Sequence, residues 1–261
     1  MEEPVLLEQR SGTVVRLTLN RPKSKNSLDP ELVSRLGDAL DTVAADTTVR
    51  AIVLTGSGGA FCSGIDLKSA AADLQEPKWL EARLRAFHRL IRTIVRAPQP
   101  VVAAVDGPAV GFGADLALAC DLRVASTAAY FEEKFVALGL MPDGGGTFHL
   151  PRLIGLGRAL EHLLLGTRLD ASTALAQGLV NRVVPADALD AEVETIVQRL
   201  ALSPPLALAA IKRAVRASLE GSLEDALSRE FAGQLALLAS EDVREGVSAF
   251  LERRAPSFRG R

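Results

Sequence analysis

Cysteine, histidine and aromatic residues are scarce in this chain of 261 residues. It has two cysteines, three histidines, one tryptophan and one tyrosine. Two cysteines are too few for a disulfide framework. Cys62 and Cys120 both stand among small, apolar neighbours, as reduced packing residues of a cytoplasmic protein do. The histidines, His88, His149 and His162, are dispersed, with no ligand spacing that links them to each other or to the cysteines, so no metal site is expected. An excess of one charge is missing too. Thirty Lys and Arg stand against 32 Asp and Glu, a net charge of −2, so no global field favours nucleic acid or an anionic membrane. No apolar run reaches the length of a membrane span. The first residues, MEEPVLLEQR, are acidic where a secretory signal is basic and then apolar. The glycine runs GSGGAFCSG and PDGGGT lack a following Gly-Lys-Ser/Thr, which excludes a phosphate loop.

What is present alternates strand and helix patterns over most of the length. Thr13 to Asn20 alternates apolar and polar residues and predicts a strand. Asp29 then caps a helix that Pro30 starts, with Leu32, Leu36, Leu40 and Val43 on one face. Ala51 to Thr55 reads as a short buried strand, and a helix runs from about Lys78 to Arg96, before Pro98 and Pro100. The arginines of that helix, Arg83 to Arg96, suggest either a nucleic-acid comb or a solvated face, and the neutral whole favours the solvated face. A strand falls around Tyr130 and Phe131. After Leu189 the strand signal ends, and four helices are expected: Leu189 to Leu202, Pro205 to Leu219, Leu223 to Leu238 and Asp242 to Arg253. This is an α/β pattern with a helical C-terminal quarter. The expected division is a catalytic core over residues 1–188 and a helical region over residues 189–261 whose apolar faces need cover.

The centre of the pattern is Pro100 to Ala125, PVVAAVDGPAVGFGADLALACDLRVA. A buried apolar run passes through Gly107, Gly111 and Gly113 into a small-residue helix carrying Asp115. A strand that reaches a helix start through glycines exposes backbone N–H groups at one point. Such donors hold developing negative charge, and the helix dipole adds to the effect. Asp115 stands about one turn into that helix.

Several separated motifs resemble one family, the crotonases (the enoyl-CoA hydratase/isomerase family). They are NRPKSKNSL at residues 20–28, AFCSGIDLK at 60–68, AVDGPAVGFGADLALACD at 104–121, LGLMPDGGGTFHLPRLIG at 138–155 and AQGLVNRVVP at 176–185. The tail FLERRAPSFRGR is similar as well, and the matches follow family order over nearly the whole chain. The resemblance implies a spiral of ββα turns, a C-terminal all-helical trimerisation region, and a homotrimer or a hexamer built as a dimer of trimers. It implies an acyl-CoA substrate, with coenzyme A part of that substrate and no separate cofactor. The two backbone donors of the family's oxyanion hole fall on Ile65 and Phe112. Many relatives have glycine at the second position, so the Phe112 ring has to point away from the thioester. Lys23, Lys25, Lys68 and Arg253 match positions that reach coenzyme A, Arg253 from a neighbouring subunit.

Two positions bear on the reaction. Hydration needs a water held between two acid/base groups, which are two glutamates in the family's hydratases. The first matches Asp115. The second matches Phe135, which cannot transfer a proton and leaves that part of the acyl pocket apolar. Asp143, directly after Pro142, resembles the aspartate of family isomerases, including dienoyl-CoA isomerases and the ring-opening isomerases of phenylacetate breakdown. The expectation is therefore double-bond isomerisation, with Asp115 and Asp143 as acid/base groups. The alternatives are a hydratase with a displaced second carboxylate, for which Glu133 is the candidate, and a non-catalytic acyl-CoA-binding homologue. Glu132, Glu133 and Lys134 are expected to form a solvated cluster.

Overall fold

The computed structural model describes residues 3–73 and 77–261. Residues 74–76 of the weakly patterned segment 69–85, on which the shape of the acyl pocket is expected to depend, lie outside the described residues.

The chain begins with an antiparallel pair, β1 (Leu6–Ser11) and β2 (Val14–Leu19). After a short 3-10 helix (Pro22–Ser24) comes α1 (Pro30–Ala45), where the Asp29 side chain accepts the Leu32 N–H and Pro30 occupies the first turn. Leu32, Leu36, Leu40 and Val43 are all buried, as their spacing predicts. β3 (Ala51–Gly56), α2 (Leu67–Asp73), α3 (Pro77–Arg96) and β4 (Val101–Val105) follow. Every residue of β4 is buried, as befits a central parallel strand covered on both faces. Arg85 pairs with Glu81, and Arg89 with Asp38 and Asp41, so these α3 arginines serve their own chain.

Next come β5 (Pro108–Val110), α4 (Phe112–Ala119), β6 (Leu122–Ser126) and β7 (Tyr130–Glu132). β5 lies inside what reads as one glycine passage; three residues are too short for a periodicity to reveal. A 3-10 helix (Lys134–Leu138) leads to α5 (Gly146–Ile154), α6 (Leu156–Leu165), β8 (Arg168–Asp170), α7 (Ala171–Ala176) and β9 (Arg182–Val184). Four helices close the chain: α8 (Leu189–Ala201), α9 (Pro205–Ser218), α10 (Leu223–Leu238) and α11 (Glu241–Glu252).

Six strands form one sheet in the order β1-β2-β3-β4-β6-β9, parallel except for β1, and β5-β7-β8 form a second. The chain passes from a strand of the large sheet to one of the small sheet, then through a helix back to the large one: β4, β5, α4, β6. These are the ββα turns. Alternate residues of the large sheet serve two cores. Ile52 and Leu54 join Leu17, Leu36 and Phe61, whereas Ala51 and Val53 join Val102, Val124 and the Leu189, Val193 and Val197 face of α8.

α8 therefore covers the sheet. The change in packing falls after it, not at residue 189 where the strand signal ends. An amphipathic pattern says that a helix has an apolar face but not what that face meets. α9 is tied to the core by ions: Asp121 takes Lys212 at 2.7 Å and Arg216 at 2.7 Å. α9 to α11 leave Ile211, Val215, Phe231, Leu235 and Phe250 exposed. Among the described residues no helix is long and apolar enough to cross a membrane.

Candidate active site

Two loops distant in sequence are stitched together at one edge of the site. Leu28 N–H donates to Gly64 O at 2.8 Å, Asp66 N–H to Leu28 O at 3.0 Å, and Ser63 N–H to Lys25 O at 2.9 Å. Arg21 pairs with both Asp66 (3.0 Å) and Asp29 (3.1 Å). Asn26, fully buried, donates to Ser57 O and Ala60 O at 2.9 and 2.7 Å. The NRPKSKNSL and AFCSGIDLK segments are thus one unit, and that unit presents Ile65.

The second donor is built by close approach. Gly64 has φ +90°, and a Cβ on it would lie 2.7 Å from Val110 O and 3.6 Å from Phe112 N, so only glycine fits. Gly111, with φ 52° and ψ −126°, turns the chain into α4 and leaves Phe112 N–H at its first position. Among the described residues neither Ile65 N–H nor Phe112 N–H donates to an acceptor. Two free backbone donors on adjacent segments, one of them at a helix N-terminus, are the kind of arrangement that can hold a developing negative charge. The Phe112 ring is fully buried and stacks on Phe87, with centroids 4.3 Å apart. It points into the core, as the substitution requires.

The acid groups meet beside this turn. Asp115 is fully buried, and its Oδ2 accepts the Gly144 N–H at 2.9 Å. The glycine run that follows Asp143 has a steric cause. A Cβ on Gly144 would lie 2.6 Å from Asp115 and 2.7 Å from the Phe112 ring, and one on Gly146 would lie 2.5 Å from Asp115 Oδ1. Burial, then the charge of Asp143, raises the Asp115 pKa to about 7. Asp143 is half-buried. Burial raises its pKa to about 6, opposed by its own backbone N–H and by His88 on α3. Phe135 is buried beside Gly111, with ring atoms 3.8 Å from where a Cβ on that glycine would stand, and it forms an apolar wall next to the Phe112 turn.

The solvated cluster expected at residues 132–134 is not found. Glu132 is buried and meets Lys134 at 3.4 Å and Arg168 at 3.5 Å. Glu133 is also buried and faces Asp115 and Asp143, whose charges add to burial in raising its pKa well above the usual carboxylate range. β7 is flanked by β5 and β8, and the chain turns into a 3-10 helix directly after Glu133. No local pattern marks Glu133 as buried, because α4 and α6 provide its cover. The Gly144 N–H that holds Asp115 is also without a side-chain signal.

Lys23, Lys25 and Lys68 are exposed on the two stitched loops. Arg253 caps the C-terminal end of α11, and no hydrogen bond or ion pair joins it to those lysines among the described residues. His149 packs edge-on against Phe148 at 5.2 Å. Burial, then Arg216, Arg123 and Arg152, lowers its pKa to about 4 and keeps it neutral.

Comparison with known proteins places this geometry. The family model described as enoyl-CoA hydratase/isomerase matches residues 9–261. The chain is 39% identical over 263 residues to the 1,2-epoxyphenylacetyl-CoA isomerase of Escherichia coli K12, covering 100% of each. It is 43% identical over 246 residues to a protein of Rhodobacter capsulatus named "Probable enoyl-CoA hydratase", covering 94% of each. The crystal structure of an enoyl-CoA hydratase from Bacillus anthracis superposes with a TM-score of 0.95 at 33% identity, covering 99% of this chain and 100% of that one.

Proposed function

The chain belongs to the enoyl-CoA hydratase/isomerase family, and from that premise we propose that it moves a double bond within an unsaturated acyl-CoA thioester. The observation that carries this reading is the pairing of Asp143 with Asp115 beside Phe135, an apolar ring where hydration would need a second carboxylate. The thioester oxygen accepts from Ile65 N–H and Phe112 N–H, which stabilise the negative charge of an enolate. Asp143, the more exposed and more acidic of the two, takes a proton from one carbon of the acyl chain. The electron pair moves into the enolate and returns to form the shifted double bond as a proton is delivered to another carbon. Asp115, with its pKa near 7, supplies or shares that proton. Phe135 and the buried Phe112 turn keep water from the enolate.

Lys68 lies near the adenine of coenzyme A, Lys23 and Lys25 lie along its pantetheine, and Arg253 reaches a phosphate from a second subunit. The exposed apolar side chains of α9 to α11 form the contact surface of a trimer or a hexamer. These assignments rest on the family resemblance and on the exposed apolar faces.

Incubation with 2-enoyl-CoA, 3-enoyl-CoA and 1,2-epoxyphenylacetyl-CoA, with bond migration, ring opening and hydration read separately, tests the reaction. Asp143→Asn is expected to slow bond migration by about 10²–10⁴-fold. Robust hydration that survives Asp143→Asn would instead support the second reading, a hydratase, which the burial of Glu133 against Asp115 favours. Acyl-CoA binding without turnover in any arm would support a binding module.

A further inference from the structure

We propose that Glu133 is a positioning residue: its carboxyl group, kept protonated, donates to Asp115 Oδ1 from the side away from the substrate. The proposal rests on Asp115 being an acid/base group of the reaction, and it assigns to Glu133 a task other than activating water.

Three buried oxygens converge without another partner. Asp115 Oδ1, Glu133 Oε1 and Glu133 Oε2 are all out of solvent and lack a hydrogen bond at ordinary distance, while Asp115 Oδ2 is occupied by Gly144 N–H. A Cβ added to Gly146 would lie 2.5 Å from Asp115 Oδ1 and 3.1 Å from Glu133 Oε1, so both oxygens crowd the same side of that glycine. The orphaned oxygen of the acid/base aspartate and the orphaned carboxyl of Glu133 therefore face each other. A buried polar group without a partner costs about 1–3 kcal/mol. One shared proton relieves both.

The surroundings put that proton on Glu133. Asp115 faces it from α4 and Asp143 from the loop before α5. His162 of α6 stands across a small internal cavity of about 10 Å³, whose walls also include Ala114, Leu118 and Thr167. Glu132, the neighbour in sequence, is engaged with Lys134 and Arg168. Among the described residues no cation pairs with Glu133. Facing carboxyl groups with no counterion cannot both ionise. Asp115 has the Gly144 N–H to support its charged form and Glu133 has no such donor, so the proton stays on Glu133, and a protonated carboxyl is a hydrogen-bond donor. Donation to the Asp115 carboxylate favours its charged form and opposes the rise caused by burial. It also leaves Asp115 one orientation, with Oδ2 on Gly144. Glu133 is enclosed and lines the α4–α6 cavity, whereas Asp143 is half-exposed, so in this proposal Glu133 forms and breaks no bond with the acyl chain.

The test compares Glu133→Leu with Glu133→Gln, measuring kcat and KM for bond migration across pH. The Asp115 limb of the profile is identified as the one that Asp115→Asn abolishes. In Glu133→Leu this limb is expected to move up by about one pH unit. In that variant kcat falls by about tenfold while KM stays within about twofold. Glu133→Gln keeps an N–H donor, so it restores the limb and most of kcat. A limb that stays in place in Glu133→Leu, or one displaced equally in both variants, overturns the proposal. So does hydration abolished by Glu133→Gln, which would make Glu133 a water-activating base. Should Glu133→Leu not fold, difference infrared spectra of the wild type and Glu133→Gln at neutral pH decide. A protonated-carboxyl band lost in Glu133→Gln supports the proposal, and a band unchanged overturns it. The infrared arm needs no turnover. A missing isomerase activity with the band present would therefore count against the proposed reaction, not against the Glu133 proton.

Discussion

Two acids of this chain, the half-buried Asp121 and the fully buried Asp115, lie toward opposite ends of the same short helix and have opposite surroundings. Asp121, just past the C-terminal end of α4, accepts from Val101 N–H at 2.8 Å and holds Lys212 and Arg216, each at 2.7 Å. Asp115, one turn in from the N-terminal end, has only the backbone N–H groups of Gly144 and, more weakly, Gly146 to support its charge, and its close neighbours are the acids Asp143 and Glu133. Charges that balance fix structure: the Asp121 group fastens α9 to the strands of the large sheet. Acids left without a cation keep pKa values near neutrality, where a proton can be given and taken back within one turnover. The two ends of α4 differ in counterions as well as in burial.

The largest way to break that contrast is to remove the balanced acid. Asp121→Ala strands Lys212 and Arg216 and is expected to cost about 3–5 kcal/mol, read as a fall in the urea midpoint. A loss below about 1 kcal/mol would mean that the triad is only a surface ion pair in effect. The unbalanced acid should respond with the opposite sign. Asp115→Asn is expected to gain about 1–2 kcal/mol at mildly alkaline pH while losing activity, because the variant removes a charge the fold does not compensate. The folded-state pKa of Asp115 is raised from 3.8 to about 7. Its contribution is therefore fully present below pH 3.8 and is lost as pH rises through about 7. The stability difference between Asp115→Asn and wild type should grow across that window and then level, as unfolding midpoints at several pH values would record. A flat difference would place a counterion near Asp115. The smallest change sharpens the comparison. Gly146→Ala forces Asp115 Oδ1 away from a new carbon and should lower kcat by about tenfold with little change in KM or in folding.

Much of the frame is legible in local patterns. The Asp29-Pro30 start of α1, the buried run of β4 and the C-terminal helices fall within a residue or two of where capping and periodicity put them. Each depends on neighbours in sequence. β5 and the role of α8 are not legible, since one is too short for a period and the other differs from the outer helices only in what it covers. Within the candidate site, Ile65, Phe112 and Asp143 are picked out by the family resemblance; the glycines around Phe112 mark a close backbone passage but do not by themselves say what it holds. Glu133 is not legible: a pair of glutamates before a lysine looks solvated until β5, β8, α4 and α6 close around it.

The sequence by itself determined the parts: glycine-framed backbone turns, a carboxyl on α4, a carboxyl after Pro142 and a phenylalanine at 135, in the order that resembles the family. Those are properties of single positions and their neighbours. Only the tertiary structure decided that Asp115, Asp143 and Glu133 share one enclosure in which, among the described residues, no lysine or arginine pairs with them, whereas Asp121 holds two cations. Proton affinity belongs to the surroundings of a group, and here those surroundings come from elements that are far apart in the chain.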